Sequence, residues 1–181
     1  MQSYETVIQF WFVDHTREDH FGGKPEFDAK LAAAFGDLHP AVARGEAWHW
    51  RQTPEGRLAE IVVLDQFSRQ LHRGSPEAFA QDKMALVLAQ EALAAGADDA
   101  VPRDWAGFFY LPFMHAESLV IQDEGVRLYQ QHGDPEQLDY MVRHRDAIAR
   151  FGRFPFRNTA LGRKSTPDEL TYMAEAGDRG F

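Results

Sequence analysis

The sequence predicts an all-α protein. Apolar residues recur three and four positions apart along every long segment, prolines and capping residues open these segments, and glycines close them. No segment between turn signals alternates with period two, as a half-buried strand would.

In chain order, Tyr4, Val7, Ile8, Trp11 and Phe12 form a wide apolar stripe, predicting an opening helix that ends near Asp14. His15 to Lys24, with Gly22 and Gly23, reads as a loop. Pro25 suits a first helical position, and Phe27, Leu31, Ala34, Phe35 and Leu38 carry the next stripe. Pro40 is expected to start a short turn toward Trp48. Thr53 and Pro54 open a helix through LAEIVVLDQFSRQL that stops at Gly74. Ser75 and Pro76 start another, which Gly96 ends. The aromatic run from Trp105 to Phe113 leads into a helix continuing past Gln122 toward Gln131, with Pro112 starting or kinking it. Asp134, Pro135 and Gln137 begin a helix to Phe151 with Gly152 as its cap, and Thr166, Pro167 and Glu169 begin a last one through Met173. Short connections suggest stacked antiparallel helical hairpins.

The chain of 181 residues suits one all-helical domain over 1–181, since a chain this long buries roughly 70% of its unfolded surface. With no cysteine there is no disulfide or thiolate metal site, and a reducing cytoplasm is the expected location. The first residues lack the basic region of a secretory signal, and the apolar run at Phe108 to Met114 is too short to span a bilayer. A formal net charge of −9 argues against nucleic acid or an anionic membrane as the partner. The Walker A, GxGxxG and GxSxG patterns are missing. No cofactor is implied.

One stretch runs against the acidic total. His144 to Thr166 carries Arg150, Arg153, Arg157, Arg163 and Lys164, and no acid lies between Asp146 and Asp168. Such an island needs buried carboxylates of its own chain or an anionic ligand. Candidate carboxylates sit on apolar faces: Asp65 with Arg69 in the stripe of Leu58, Ile61 and Val62, and Asp82 beside Phe79, Leu86 and Leu93. A buried charge without a partner costs several kcal/mol, so Asp65 and Asp82 are expected to clamp the arginine loop. Surplus arginines would converge on a carboxylate or phosphate.

A second group is His115, Glu117 and Gln122. On a continuous helix His115 and Gln122 share a face and Glu117 points about 160° away, so His115 and Glu117 should not grip one metal ion. No metal site is expected, because the spacing matches neither HExxH nor paired ExxH motifs. His144 lies with Tyr140 and Phe151 on a face that packs inward.

Three motifs, LAEIVVLDQFSRQLHRGSPEAFAQD, FFYLPFMHAES and HRDAIARFGRFPFRNTALGRKSTPDE, together with Trp11 and Phe12, resemble the bacterial family catalogued as domain of unknown function 924. The resemblance covers nearly the whole chain. It implies a helical fold related to tetratricopeptide-like superhelices and brings no established activity. The family pattern LDQFxR falls on Leu64 to Arg69, PxxHxE on Pro112, His115 and Glu117, and FGRFPxRN on Phe151 to Asn158. The chain departs from it at Ser68, where the family often has proline, and this should leave the helix less disturbed there. It departs again at Phe156, where the family often has histidine.

These readings place a polar pocket at Asp65, Arg69, Gln122, Arg153, Arg157 and Asn158 for ligand binding, with His115, His144 and Glu117 as candidate catalytic groups. The favoured function is binding of a small anionic molecule or an acidic peptide. The alternatives are a hydrolase or transferase acting on a phosphorylated or carboxylated metabolite, with a histidine as acid or base, and a protein-interaction scaffold.

Overall fold

The computed structural model describes residues 2–132 and 134–177. Among these residues the chain is helical without a strand. It divides into two units, one formed by residues 1–73 and 77–112, the other by residues 74–76 and 113–181.

In the first unit α1 (Tyr4–Ile8) runs into a π-helical segment, Gln9–Val13. The expected loop after it contains α2 (Arg17–Phe21). Thr16 opens this helix: the side chain of Asp19 accepts from both the backbone N–H and the hydroxyl of Thr16, at 3.0 and 3.1 Å. This capping box, built on aspartate, starts a helix inside the segment that Gly22 and Gly23 mark as a loop. Next come α3 (Pro25–Phe35) and α4 (Leu38–Ala43), with Pro40 inside α4 rather than at its start, then a 3₁₀ turn at Trp48–Gln52.

The helix from Thr53 is not uniform. α5 (Pro54–Val62) passes into a second π-helical segment, Val63–Phe67, before α6 (Ser68–Leu71). Ser68, expected to leave the helix less disturbed than proline would, opens an α-helical turn directly after this π-helical segment. Leu58, Ile61, Leu64 and Phe67 are fully buried, and Trp11 and Phe35 pack on Phe67 with ring centroids 5.3 and 5.1 Å apart. A 3₁₀ turn, Pro76–Phe79, precedes α7 (Asp82–Ala94), which packs on α5.

α8 (Arg103–Met114) begins before the aromatic run, holds Pro112 in its interior and ends two residues later. The single helix expected here is in fact two, because α9 (Leu119–His132) starts only after a break at 115–118. Proline cannot donate to the preceding turn, which weakens the helix at the place where it stops.

In the second unit α9 and α10 (Pro135–Phe151) form an antiparallel hairpin. Asp123 meets Arg145 and Gly125 faces Met141, so partners run in opposite order. Gly152 closes α10 at φ 70°, the left-handed conformation that favours glycine. An irregular segment with one 3₁₀ turn, Pro155–Arg157, leads to α11 (Pro167–Ala176), which has the predicted capping box and runs three residues past Met173. Ala147, Ile148 and Phe154 form a small apolar cluster with Tyr172 against it.

Gly56 tests the packing of the first unit. A Cβ there would run into the carbonyl oxygen of Trp50 and crowd the Thr53 hydroxyl that accepts the Gly56 N–H. Alanine is ordinarily favoured over glycine inside a helix by about 1 kcal/mol. Gly56→Ala should nonetheless lower stability by roughly 1–3 kcal/mol, the usual range for overpacking, in a urea unfolding experiment.

Candidate functional site

The positive island is held mostly by two glutamates of its own unit. Glu117 leaves the helical frame at the break between α8 and α9, so the expected angle between it and His115 does not apply. Its Oε1 accepts from the Phe154 N–H at 2.8 Å and from Arg163 at 2.9 Å, while Oε2 accepts from Arg163 at 2.8 Å. Arg163 also donates to the Phe154 carbonyl and to Asn158 Oδ1. Burial works against the charge on Glu117, but Arg163 and the Phe154 N–H outweigh it and hold its carboxyl below the usual range.

Glu169, only 2% exposed, is the second anchor. Arg153 donates Nε and Nη2 to its two oxygens at 2.7 and 2.9 Å, and the Thr166 N–H and Asn158 Nδ2 add to Oε2. Arg153 and then the Thr166 cap hold this carboxyl down at about 2. Asn158 thus links both glutamates, with Nδ2 also donating to Ser165. Arg157 is buried, its guanidinium 4.4 Å over the Phe154 ring. Where the expectation put Asp65 and Asp82 opposite the island, the acids found on Arg153 and Arg163 are Glu169 and Glu117.

Asp65 and Arg69 lie in the first unit. Arg69 reaches Asp65 at 3.1 Å and holds Asp82 through two donors at 2.9 and 3.1 Å. Gln66 donates to the other Asp65 oxygen at 2.6 Å. Arg69 thus supplies the cation for both aspartates, where the expectation gave that part to the arginines of the island.

Gln122 is fully buried, and its amide nitrogen lies 3.3, 2.7 and 2.8 Å from the carbonyl oxygens of Phe113, Met114 and Ala116. It closes the C-terminal end of α8, as a cap does. His115 and His144 stand with ring centroids 6.3 Å apart. His144 is buried and donates from Nδ1 to the Tyr140 carbonyl at 2.7 Å, which fixes the Nε2 nitrogen as the unprotonated one. Burial pushes the imidazole down to about 3, with the charges of His115, Arg157 and Arg143 adding to it. His144 is therefore neutral near pH 7.

The first unit holds two buried histidines that the sequence did not single out. His39 faces the Ser68 hydroxyl at 2.7 Å, and that hydroxyl donates to the Leu64 carbonyl, so His39 Nε2 carries the proton. His20 stacks on Trp11 at 3.8 Å. Burial lowers both to about 4. Among the described residues no group of three or more histidine, aspartate or glutamate side chains could hold a metal ion, and no helix is long and apolar enough to cross a membrane.

A pocket of about 420 Å³ opens in the second unit, lined by Arg150, Phe151, Arg153, Thr166, Asp168 and Glu169. Of these only Arg153 was among the expected ligand-binding residues. Arg150 belonged to the island but not to the expected site, and Asp168 marked only the end of the acid-free stretch. Sequence alone did not say which arginines already had carboxylates. Arg150 is exposed and lies over the rings of Phe151 and Tyr172, 4.7 and 5.9 Å from their centroids. It has no acidic partner among the described residues.

The family model of a bacterial protein of unknown function (DUF924) matches residues 7–177. The chain belongs to the DUF924 family. A solved structure with the same fold, that of a protein of unknown function from Agrobacterium tumefaciens, is 38% identical, with a TM-score of 0.90 over 95% of this chain and 97% of that one. No curated protein matches. Within this DUF924 chain the third motif, FGRFPxRN, supplies Arg153, the Phe154 N–H and Asn158, while the glutamates that receive them come from the second motif and from α11.

Two groups set limits on this arrangement, both on the acid side. Glu169 is depressed from 4.5 to about 2, so its contribution is complete above pH 4.5 and is lost as pH falls toward 2. His144 is depressed from 6.5 to about 3, so the unfolded chain takes up a proton first, and stability falls as pH drops from 6.5 toward 3. Melting temperature should therefore decline from pH 7 to 4 and more steeply below 4.5. Glu169→Gln should cost about 3 kcal/mol at pH 7 by stranding Arg153 and flatten the lower limb, read by thermal unfolding across pH.

Proposed function

We propose that this protein binds a small anionic ligand in the second unit, in the pocket beside Arg150. The observation that carries the reading is the difference between the arginines of the island. Arg153 and Arg163 each direct two donors at a glutamate, whereas Arg150 lines the pocket without an acidic partner among the described residues. Guanidinium is a planar donor fork matched to carboxylate and phosphate. Ring faces of Phe151 and Tyr172 hold the head of Arg150 in place, which reduces the entropy lost on binding. A pocket of this volume suits a small molecule.

The terminus of α11 does not supply the handle. Its capping box engages the Thr166 N–H with Glu169 and the Glu169 N–H with Thr166. The site therefore rests on the side chain of Arg150. It differs from the pocket expected at Asp65, Arg69, Gln122, Arg153, Arg157 and Asn158, of which Arg153 and Asn158 hold the irregular segment.

A thermal-shift series with inorganic phosphate and simple carboxylates tests the reading. At a hundred times its dissociation constant a ligand adds about 2.7 kcal/mol, and the melting temperature should rise by several degrees. Arg150→Gln should keep the unliganded stability within about 1 kcal/mol, as an exposed position allows, and abolish the rise in melting temperature. A rise that survives in Arg150→Gln, or no rise with any of these compounds, overturns the reading.

A further inference from the structure

We propose that the ligand of the Arg150 pocket is a zwitterion, a small amino acid or dipeptide-like molecule whose acid group pairs with Arg150 and whose ammonium group pairs with Asp168. The proposal rests on the reading of Arg150 as the anion's partner and adds the second charge.

The pocket lining carries two cations and two anions. Arg153 and Glu169 satisfy each other through paired contacts of 2.7 and 2.9 Å. Arg150 and Asp168 remain, both exposed, of opposite sign, and without an oppositely charged partner among the described residues. A phosphate dianion would meet one unpaired cation and be repelled by the Asp168 carboxylate in the same pocket. A zwitterion meets an opposite charge at each end and brings no net charge into a lining that is itself neutral. The Thr166 hydroxyl, which accepts the Glu169 N–H through its oxygen, keeps its own O–H to donate to the ligand's acid group. Phe151 supplies an apolar wall for the carbons between the two charges.

The experiment is an isothermal titration of the full chain with ω-amino acids of increasing length, from glycine to aminohexanoic acid. Each is paired with the unsubstituted carboxylic acid of equal length, and inorganic phosphate is run beside them. One member of the series should bind at least about tenfold more tightly than its carboxylic acid match. Asp168→Asn should bring that ratio to about one and leave carboxylic acid binding intact or stronger, and Arg150→Gln should remove binding of both. Arg150→Lys, which keeps the charge, guards against a misfolded glutamine variant, and circular dichroism of each variant verifies the fold. Carboxylic acids or phosphate that bind as well as every amino acid, in an Arg150-dependent way, overturn the zwitterion and leave the anion site standing. Absence of binding by all three classes to the wild-type chain overturns both.

Discussion

A carboxylate taken out of water must be given a cation, and that requirement organises both units. Glu60 and Asp65 are each 1% exposed; Arg51 grips the first through two bonds of 2.7 Å, and Arg69 holds the second. In the other unit Glu117 and Glu169 receive Arg163 and Arg153. Apart from Asp65 and Arg69, which are four residues apart on one helix, these pairs join segments that regular helix geometry alone would leave apart: a 3₁₀ turn to α5, and the irregular stretch after Gly152 to α11 and to the break before α9; Arg69 also ties α6 to the start of α7 through Asp82. Removing one partner from such a pair leaves the other desolvated and uncompensated, which is why these contacts constrain the fold more than their net energy suggests.

The irregular stretch also shows how an all-helical chain can make a rigid loop. Its backbone groups lack a helical ladder, so side chains take over: Glu117 accepts the Phe154 N–H, Arg163 donates to the Phe154 carbonyl, and Arg153 donates to the Lys164 carbonyl. Arginine suits this task because its several donors in one plane can satisfy a carboxylate and a carbonyl together. The cost is that most of the positive charge concentrated here is turned inward. Of the two guanidiniums that line the pocket, Arg153 is taken by Glu169, while Arg150 has no acidic partner among the described residues.

Much of the helix layout was legible, since it is written in local chemistry. Pro25, Thr53 with Pro54, Asp134 with Pro135, Gly152 and the Thr166 capping box each act within a few residues of themselves. The misses share a different cause. The break at 115–118 depends on Gln122 reaching back to three carbonyls, a contact that periodicity does not encode. Partner choice was equally hidden: Glu117 meets Arg163 from 46 positions away, and Asp82 takes Arg69 rather than an arginine of the island. The shared face of Asp65 and Arg69 was legible because four residues along a helix bring two side chains together, but not that they would be partners. Asp168 carried no sequence signal beyond being an acid in a first helical turn.

The π-helical segment at Val63–Phe67 has a consequence for how this helix tolerates change in length. A π turn is an α-helix with one residue too many, and here the surplus lies where both sides of the helix are covered. Deleting one residue from this segment would leave enough chain to close an ordinary α-helix between Pro54 and Leu71. The backbone ladder would become regular while the residues after the deletion kept their direction, because a π turn already fits its extra residue into a single turn. The bulge thus absorbs an extra residue without turning Arg69 away from Asp82, and regularity of the backbone is what is given up.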